Sequence, residues 1–219
     1  MRDLGGLPLE DGGETRFGVA VRADSIRSLT DEGWHALAAY GVRLAVDLRG
    51  DDELALDPPG DVRIEVQREP VPGAVVPIVR EWPTMLVAYR GLLEHFAPRF
   101  AATVTAVARS ESPVVVHCQG GRDRTGLVSA LMLRLAGVSL EAIVADHALS
   151  DENWAPQNEQ WLAEAADDWE RERRRRIIEP AGQTMAQVLD GLDVRDYLLA
   201  GGAQERDLDT IVVRLRPWS

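Results

Sequence analysis

The 219-residue sequence predicts an α/β fold: a central, mostly parallel sheet flanked by helices, within a single domain spanning residues 1–219. Three observations carry that expectation. Short β-prone runs alternate with segments of helical periodicity, as strand, helix, strand units require. Val114 to Val116 is uniformly apolar and too short for anything but a strand, the pattern of a strand covered by helices on both faces. The composition, 45% hydrophobic and 27% charged, suits a chain that buries one sizeable core.

In chain order, Phe17 to Val21 and Val42 to Leu48 are β-prone. Leu29 to Tyr40 between them has helical spacing, with Leu29, Leu37 and Tyr40 directed inward and Thr30 placed as an N-cap. Pro58, Pro59 and Gly60 break the chain, after which Val62, Ile64 and Val66 alternate with charged residues as a half-buried strand does. A proline-rich loop from Pro70 to Pro83 follows. Helical pattern returns over Thr84 to Phe96 and Arg99 to Arg109, divided at Pro98, which cannot donate the backbone hydrogen bond of a helix interior. Leu127 to Leu135 reads as a helix closed by Gly137, and Leu140 to Leu149 as another capped by Ser139. Met185 to Val213 holds further helices separated by Gly201 and Gly202.

Asp151 to Glu170 contains seven carboxylates and no basic residue, and runs into the block Arg171 to Arg176. Such charge runs belong to solvated helix faces. Trp154, Trp161 and Trp169 recur at intervals of seven and eight, which places them on one side of a helix if it is continuous. They either pack into the core or belong to a helical lid or insertion over residues 151–178.

The formal net charge of -12 argues against nucleic acid and against an anionic membrane surface as partners, so an anionic substrate must be captured locally. All 24 basic residues are arginine, which excludes Schiff-base chemistry and a lysine-type P-loop. One cysteine excludes an internal disulfide and a Cys-rich zinc site and suits a reducing compartment. His35, His95, His117 and His147 lack metal-ligand spacing, so neither metal nor other cofactor is expected. No stretch approaches the roughly 20 apolar residues that span a bilayer, and MRDLGGLPLEDGGETRFG has no apolar run. The expectation is a cytoplasmic protein without membrane insertion.

One stretch, VVVHCQGGRDRTG, concentrates chemistry. A strand ends near His117, a loop runs from Cys118 to Arg124, and a helix begins near Thr125. Successive N–H groups in such a loop can point into one concavity, where the helix dipole adds positive potential and a tetrahedral dianion fits. The same potential favours the thiolate form of Cys118, the nucleophilic species. Arg124 can hold two phosphate oxygens with its planar fork. Gly120, Gly121 and Gly126 allow unusual backbone angles and close approach of the phosphate. Asp123 offers a proton to a leaving oxygen, or merely orders Arg122 and the loop backbone. Thr125 places a hydroxyl beside the sulfur, His117 can hold the loop by hydrogen bonds, and Gln119 is counted with the phosphate-binding loop. Arg122 either neutralises a second anionic group of the substrate or faces solvent. The other three histidines have no assigned role.

His117 to Gly126 resembles the signature loop of the cysteine-dependent protein-tyrosine phosphatase superfamily, most closely the bacterial branch whose loop reads HCxxGKDRTG. RDLGGLP at Arg2 to Pro8, Arg22-Ala23-Asp24, VDLRGDDE at Val46 to Glu53 and ADHALS at Ala145 to Ser150 also resemble that branch. The resemblance implies a tyrosine-phosphatase-like fold and phosphomonoester hydrolysis through a phosphocysteine, with Cys118 as nucleophile, Arg124 as phosphate clamp and Asp123 as acid. Arg122 stands where the branch has lysine. The implied partner is a phosphotyrosine protein, with a phosphoinositide headgroup or phosphoserine and phosphothreonine as alternatives, and a noncatalytic phosphate-binding module as the reading from another class. Trp82-Pro83-Thr84 has threonine where many tyrosine phosphatases carry an upstream aspartic acid, which favours Asp123. Asp47, at the carboxyl end of a strand, is the second candidate acid, and Arg49 beside it either positions the loop or forms a surface ion pair.

Overall fold

A computed structural model of the chain describes residues 1–58, 60–73, 84–178 and 180–217. Five strands, β1 (Arg2–Asp3), β2 (Ala20–Ala23), β3 (Leu44–Asp47), β4 (Glu65–Arg68) and β5 (Val114–His117), form one sheet in the order β1-β2-β5-β3-β4. Every pair is parallel except β1 with β2. The central position of β5 follows from its composition: all four residues are buried, so it needs cover on both faces. Ala23, His117 and Asp47 stand side by side at the carboxyl ends of β2, β5 and β3. The segments that follow these strands therefore start at one edge, where parallel sheets gather their ligand sites.

Alternation along each strand divides the core. Val114 and Val116 join a large cluster with α3 (Met85–Arg109), α4 (Asp123–Leu135) and the C-terminal helices α7 (Gly182–Leu189), α8 (Val194–Ala200) and α9 (Glu205–Leu215). Val115 joins a smaller cluster with Val21, Ala45 and the residues Trp34 and Leu37 of α1 (Asp31–Tyr40). From Arg124 through Leu133 every residue of α4 is buried, so the helix that follows the signature loop is fixed on all sides. Among the described residues no helix is long and apolar enough to cross a membrane.

Several boundaries differ from the sequence expectation. β2 starts at Ala20 rather than Phe17: Gly18 has a φ of 78°, which interrupts the extended run and leaves Phe17 exposed. Thr30 caps α1 by accepting from Gly33 N–H, and Leu37 faces inward as expected. Tyr40 does not: it is exposed, its hydroxyl donates to Asp3, and Trp34 is buried instead. Val62 and Ile64 pack on the smaller cluster ahead of β4, and Val66 within it is exposed, as on a sheet edge. The two helices expected around Pro98 are joined end to end in α3, with the break expressed as a kink at Phe96 (φ -121°, ψ 22°).

Ser139 caps α5 (Leu140–Ala163), which runs well past Leu149. Asp167 then caps a separate α6 (Asp168–Ile177). Trp154, Trp161 and Trp169 thus do not share one helix, none joins either core cluster, and Trp169 is exposed. Core packing of these tryptophans is accordingly not what the chain adopts. Positions 74–83 of the proline-rich loop, including Trp82 and Pro83, and Pro59 lie outside the described residues.

Gly201 closes α8 with an ordinary φ of -74°, so its identity is set by space rather than by backbone angle. A Cβ there would stand 2.7 Å from the Ala97 carbonyl oxygen beside the α3 kink. Gly201→Ala should therefore destabilise by about 1–3 kcal/mol despite alanine's higher helix propensity. Urea denaturation checks this, and an equal or raised midpoint would show that the two helices separate freely.

Candidate active site

Cys118 to Arg122 join β5 to α4, which starts at Asp123, two residues ahead of the Thr125 expected. An acidic residue in the first turn suits the positive helix end, and Asp123, Arg124 and Thr125 thereby enter the helix rather than the loop. Cys118 is buried, and the Gly121 N–H donates to its Sγ at 3.2 Å. The loop carbonyls point the other way and each has a partner. Gln119 O accepts from Ser25 N–H at 3.1 Å, Gly120 O from Trp154 Nε1 at 2.6 Å, and Gly121 O from Arg22 Nη2 at 3.0 Å. Arg122 O accepts from Gly126 N–H and, at 3.4 Å, from the same Arg22 nitrogen. Gly121 has a φ of 66°, and a Cβ on it would lie 2.6 Å from Ala23 O, so this position admits only glycine. At Gly126 a Cβ would meet the His147 ring at 2.6 Å.

Arg124 is buried beneath the loop and paired with a residue to which the sequence reading gave no role. Its Nη1 and Nη2 donate to the two carboxylate oxygens of Glu53 at 2.5 and 2.6 Å, and Nη1 also to Val71 O at 3.1 Å. Burial opposes its charge, but Cys118 and Glu53 together raise its pKa above the ordinary arginine value. Glu53 is itself fixed by accepting from Gly50 N–H at the start of α2 (Asp51–Leu56). The hints in the sequence are its place in the segment leaving the carboxyl end of β3 and at the end of the VDLRGDDE stretch.

Asp123 is partly exposed and accepts from the Tyr89 hydroxyl at 2.5 Å. Tyr89 is fully buried; that burial, then the Asp123 charge, keeps its hydroxyl protonated well above the usual range. His147 Nε2 lies 3.4 Å from the same hydroxyl, so a histidine given no role by the sequence reading packs directly under the site. Arg122 does not face solvent: it is buried, with Nε on Asp151 at 2.6 Å and Nη1 on Ile177 O at 2.9 Å.

Asp47 lies in a different environment. Arg49 Nη2 binds it at 2.8 Å, and Arg49 Nη1 reaches Asp57 at 3.3 Å; both Arg49 and Asp47 are buried, so this is not the surface pair that was one expectation. Burial raises the Asp47 pKa, but Arg49 and His117 lower it further, leaving it below the carboxylate norm. His117 is buried, with Nδ1 3.4 Å from Cys118 O, and burial lowers its pKa. Thr125 is buried, and its Oγ1 has no hydrogen-bond partner among the described residues. Arg22, buried within β2, is held by Asp146 Oδ2 at 2.6 Å, and Asp146 in turn by Arg2 Nε at 2.7 Å. An arginine in an otherwise apolar strand was a readable signal, since a buried charge requires a partner. Among the described residues no group of three His, Cys, Asp or Glu side chains is placed to hold a metal ion.

Cys118 thus follows the central parallel strand, the Gly121 N–H points at its sulfur, and Arg124 lies in the first turn of the helix that leaves the loop. The family model described as "Tyrosine phosphatase family" matches residues 1–216, and the chain belongs to that family. A tyrosine-protein phosphatase of Nostoc commune is 37% identical over 139 residues, 59% of this chain and 47% of that protein, so the chain spans about half of that relative's length. Triple specificity protein phosphatase PtpB of Mycobacterium tuberculosis is 27% identical over 228 aligned positions, 88% of this chain and 82% of that one. Among solved structures, TpbA of P. aeruginosa is similar with a TM-score of 0.40 at 19% identity, covering 83% of this chain and 85% of that one.

Burial lowers the His147 pKa from 6.5 to about 4, so the folded state favours the neutral ring. That contribution is complete above pH 6.5 and is lost as pH falls towards 4, by up to about 3 kcal/mol. The melting temperature should fall across this interval, and His147→Gln should flatten the profile. A variant profile as steep as the wild type would assign the loss to other groups.

Proposed function

We propose that this chain is a metal-independent phosphomonoester hydrolase that works through a phosphocysteine, with protein phosphotyrosine as substrate. The observation that carries the reading is the Cys118 sulfur at the floor of a loop whose carbonyls are all tied outward, leaving Gly121 N–H on the sulfur. Membership of the tyrosine phosphatase family and the names of the two relatives support it.

In the proposed first step the Cys118 thiolate attacks phosphorus and the ester P–O bond breaks. Asp123 gives its proton to the leaving oxygen, releasing the alcohol or phenol. In the second step water attacks phosphorus, Asp123 takes its proton, and the P–S bond breaks to free inorganic phosphate and the thiolate. The loop N–H groups and Arg124 stabilise charge on the three equatorial oxygens in both steps. Glu53 takes one N–H from each terminal nitrogen of Arg124, and the N–H groups on the Nε side of the guanidinium are the ones assigned to phosphate. Tyr89 holds the Asp123 carboxyl in place. Asp47 is the weaker acid candidate because Arg49 and His117 favour its charged form.

The helical segment 151–178 is proposed to border the site, an assignment supported by the bonds of Asp151 and Ile177 O to Arg122 and of Trp154 to Gly120. Four of the five arginines of α6 have local acidic partners, Arg171 with Asp168, Arg174 with Glu170, and Arg175 and Arg176 sharing Glu172, while Arg173 lies over the Trp169 ring. This compensation favours a phosphoprotein over a membrane-borne phosphoinositide. A cytoplasmic location fits a nucleophilic thiol with no second cysteine.

Cys118→Ser should abolish release of phenol from aryl phosphates measured without added metal; turnover retained in the variant would remove the phosphocysteine. Asp123→Asn should slow substrates with poor leaving groups more than those with good ones, because a good leaving group needs little protonation. Equal losses across a leaving-group series would take the acid role from Asp123. Phosphotyrosine peptides should be hydrolysed with higher kcat/KM than phosphoinositide vesicles, and the reverse order would change the substrate class.

A further inference from the structure

Trp154 belongs to the acidic, tryptophan-bearing stretch that the sequence singles out, and it is neither a core residue nor part of the chemistry above. We infer that Trp154 is a positioning residue for the phosphate loop: its indole N–H holds the Gly120 carbonyl outward and thereby aims the Gly121 N–H at the anion. The inference rests on the phosphate-loop reading of residues 118–124 and adds to it a residue from outside the loop.

Three observations converge. The Trp154 Nε1 to Gly120 O distance is 2.6 Å, a short, direct bond. A planar trans peptide sets the C=O of one residue antiparallel to the N–H of the next, so an outward Gly120 carbonyl requires an inward Gly121 N–H. That N–H is found 3.2 Å from Cys118 Sγ. The indole also lies against the backbone it binds: a Cβ on Gly120 would come 3.2 Å from Trp154 Cζ2, so the loop glycine and the tryptophan fit as a pair.

The neighbouring peptides are held by other elements. Ser25 N–H, just after β2, fixes the Gln119 carbonyl, and Arg22 within β2 fixes those of Gly121 and Arg122. Those anchors are built into the sheet edge and are buried. The 120–121 peptide depends instead on a half-buried side chain from the outer half of α5. The orientation of the Gly121 amide on the nucleophile is therefore set by the helical segment that borders the site.

The test compares wild type with Trp154→Phe, which keeps an aromatic ring and removes only the N–H, and uses Trp161→Phe as a control because Trp161 stacks with Arg174 rather than with the loop. Calorimetric binding of tungstate, a tetrahedral dianion that needs no turnover, is measured at a temperature where circular dichroism shows all three proteins folded. Trp154→Phe should bind tungstate about three- to tenfold more weakly, the effect of one hydrogen bond, with kcat/KM on an aryl phosphate reduced to a similar extent. Trp161→Phe should match the wild type. Tungstate affinity unchanged in Trp154→Phe, or reduced equally in Trp161→Phe, overturns the inference and leaves the phosphatase reading standing. Weakened binding in Trp154→Phe, with a wild type that binds tungstate but hydrolyses no phosphomonoester, supports the inference while removing the proposed activity.

Discussion

A loop that turns its N–H groups inward must turn its carbonyls outward, and in a buried setting each of those carbonyls needs a donor. That requirement organises much of this protein. The four carbonyls from Gln119 to Arg122 draw on the segment after β2, on the buried arginine within β2, on a helix 34 residues further along the chain, and on the first turn of α4. The sheet order places these donors within reach, because β2 and β3 flank β5 in register and end level with it. The loop conformation is thus a property of the sheet edge, not of the ten residues of the signature alone.

The donors have needs of their own. A guanidinium as buried as that of Arg22 is tolerable only when its charge is met, and Asp146 meets it while Arg2 meets the remaining oxygen of Asp146. Arg124 is met by Glu53, and Arg49 by Asp47 and Asp57. The Arg22 and Arg124 pairs each join a residue next to the loop to a distant element, so a change at one partner leaves a buried charge at the other. In a chain without lysine, all these positions are filled by planar forks that bind carboxylates and carbonyls together, which suits residues that must satisfy several acceptors at once.

The acid side of the site follows the same logic. Two carboxylates stood as candidates, and their surroundings separate them. Asp47 is enclosed with Arg49 and His117, both of which favour its charge. Asp123 is partly exposed, accepts from the neutral Tyr89 hydroxyl, and has the Arg122 guanidinium at 3.8 Å. Beneath them His147 stays neutral because burial disfavours its charge, and its ring fills the space that Gly126 leaves. The histidine therefore contributes by shape and by remaining uncharged.

The parallel sheet, the central apolar strand, the caps at Thr30 and Ser139 and the break near Pro98 were legible because each depends on residues adjacent in sequence: alternation, a hydroxyl before a helix, a missing N–H. The loop from Cys118 to Arg124 was legible for the same reason. Boundaries at β2, β4 and α4 were not, since a turn at Gly18, an edge position and an acidic first turn outweighed local propensity. Glu53, Tyr89, His147, Trp154 and the Arg22–Asp146 pair escaped because their roles exist only across separations of 34 to 124 residues. What the sequence by itself determined is the class of chemistry, a thiol and an arginine on a glycine turn between strand and helix. Only the tertiary structure decided which carboxylate holds Arg124, which phenol meets Asp123 and which indole binds the Gly120 carbonyl, because burial and hydrogen-bond geometry arise when distant segments meet.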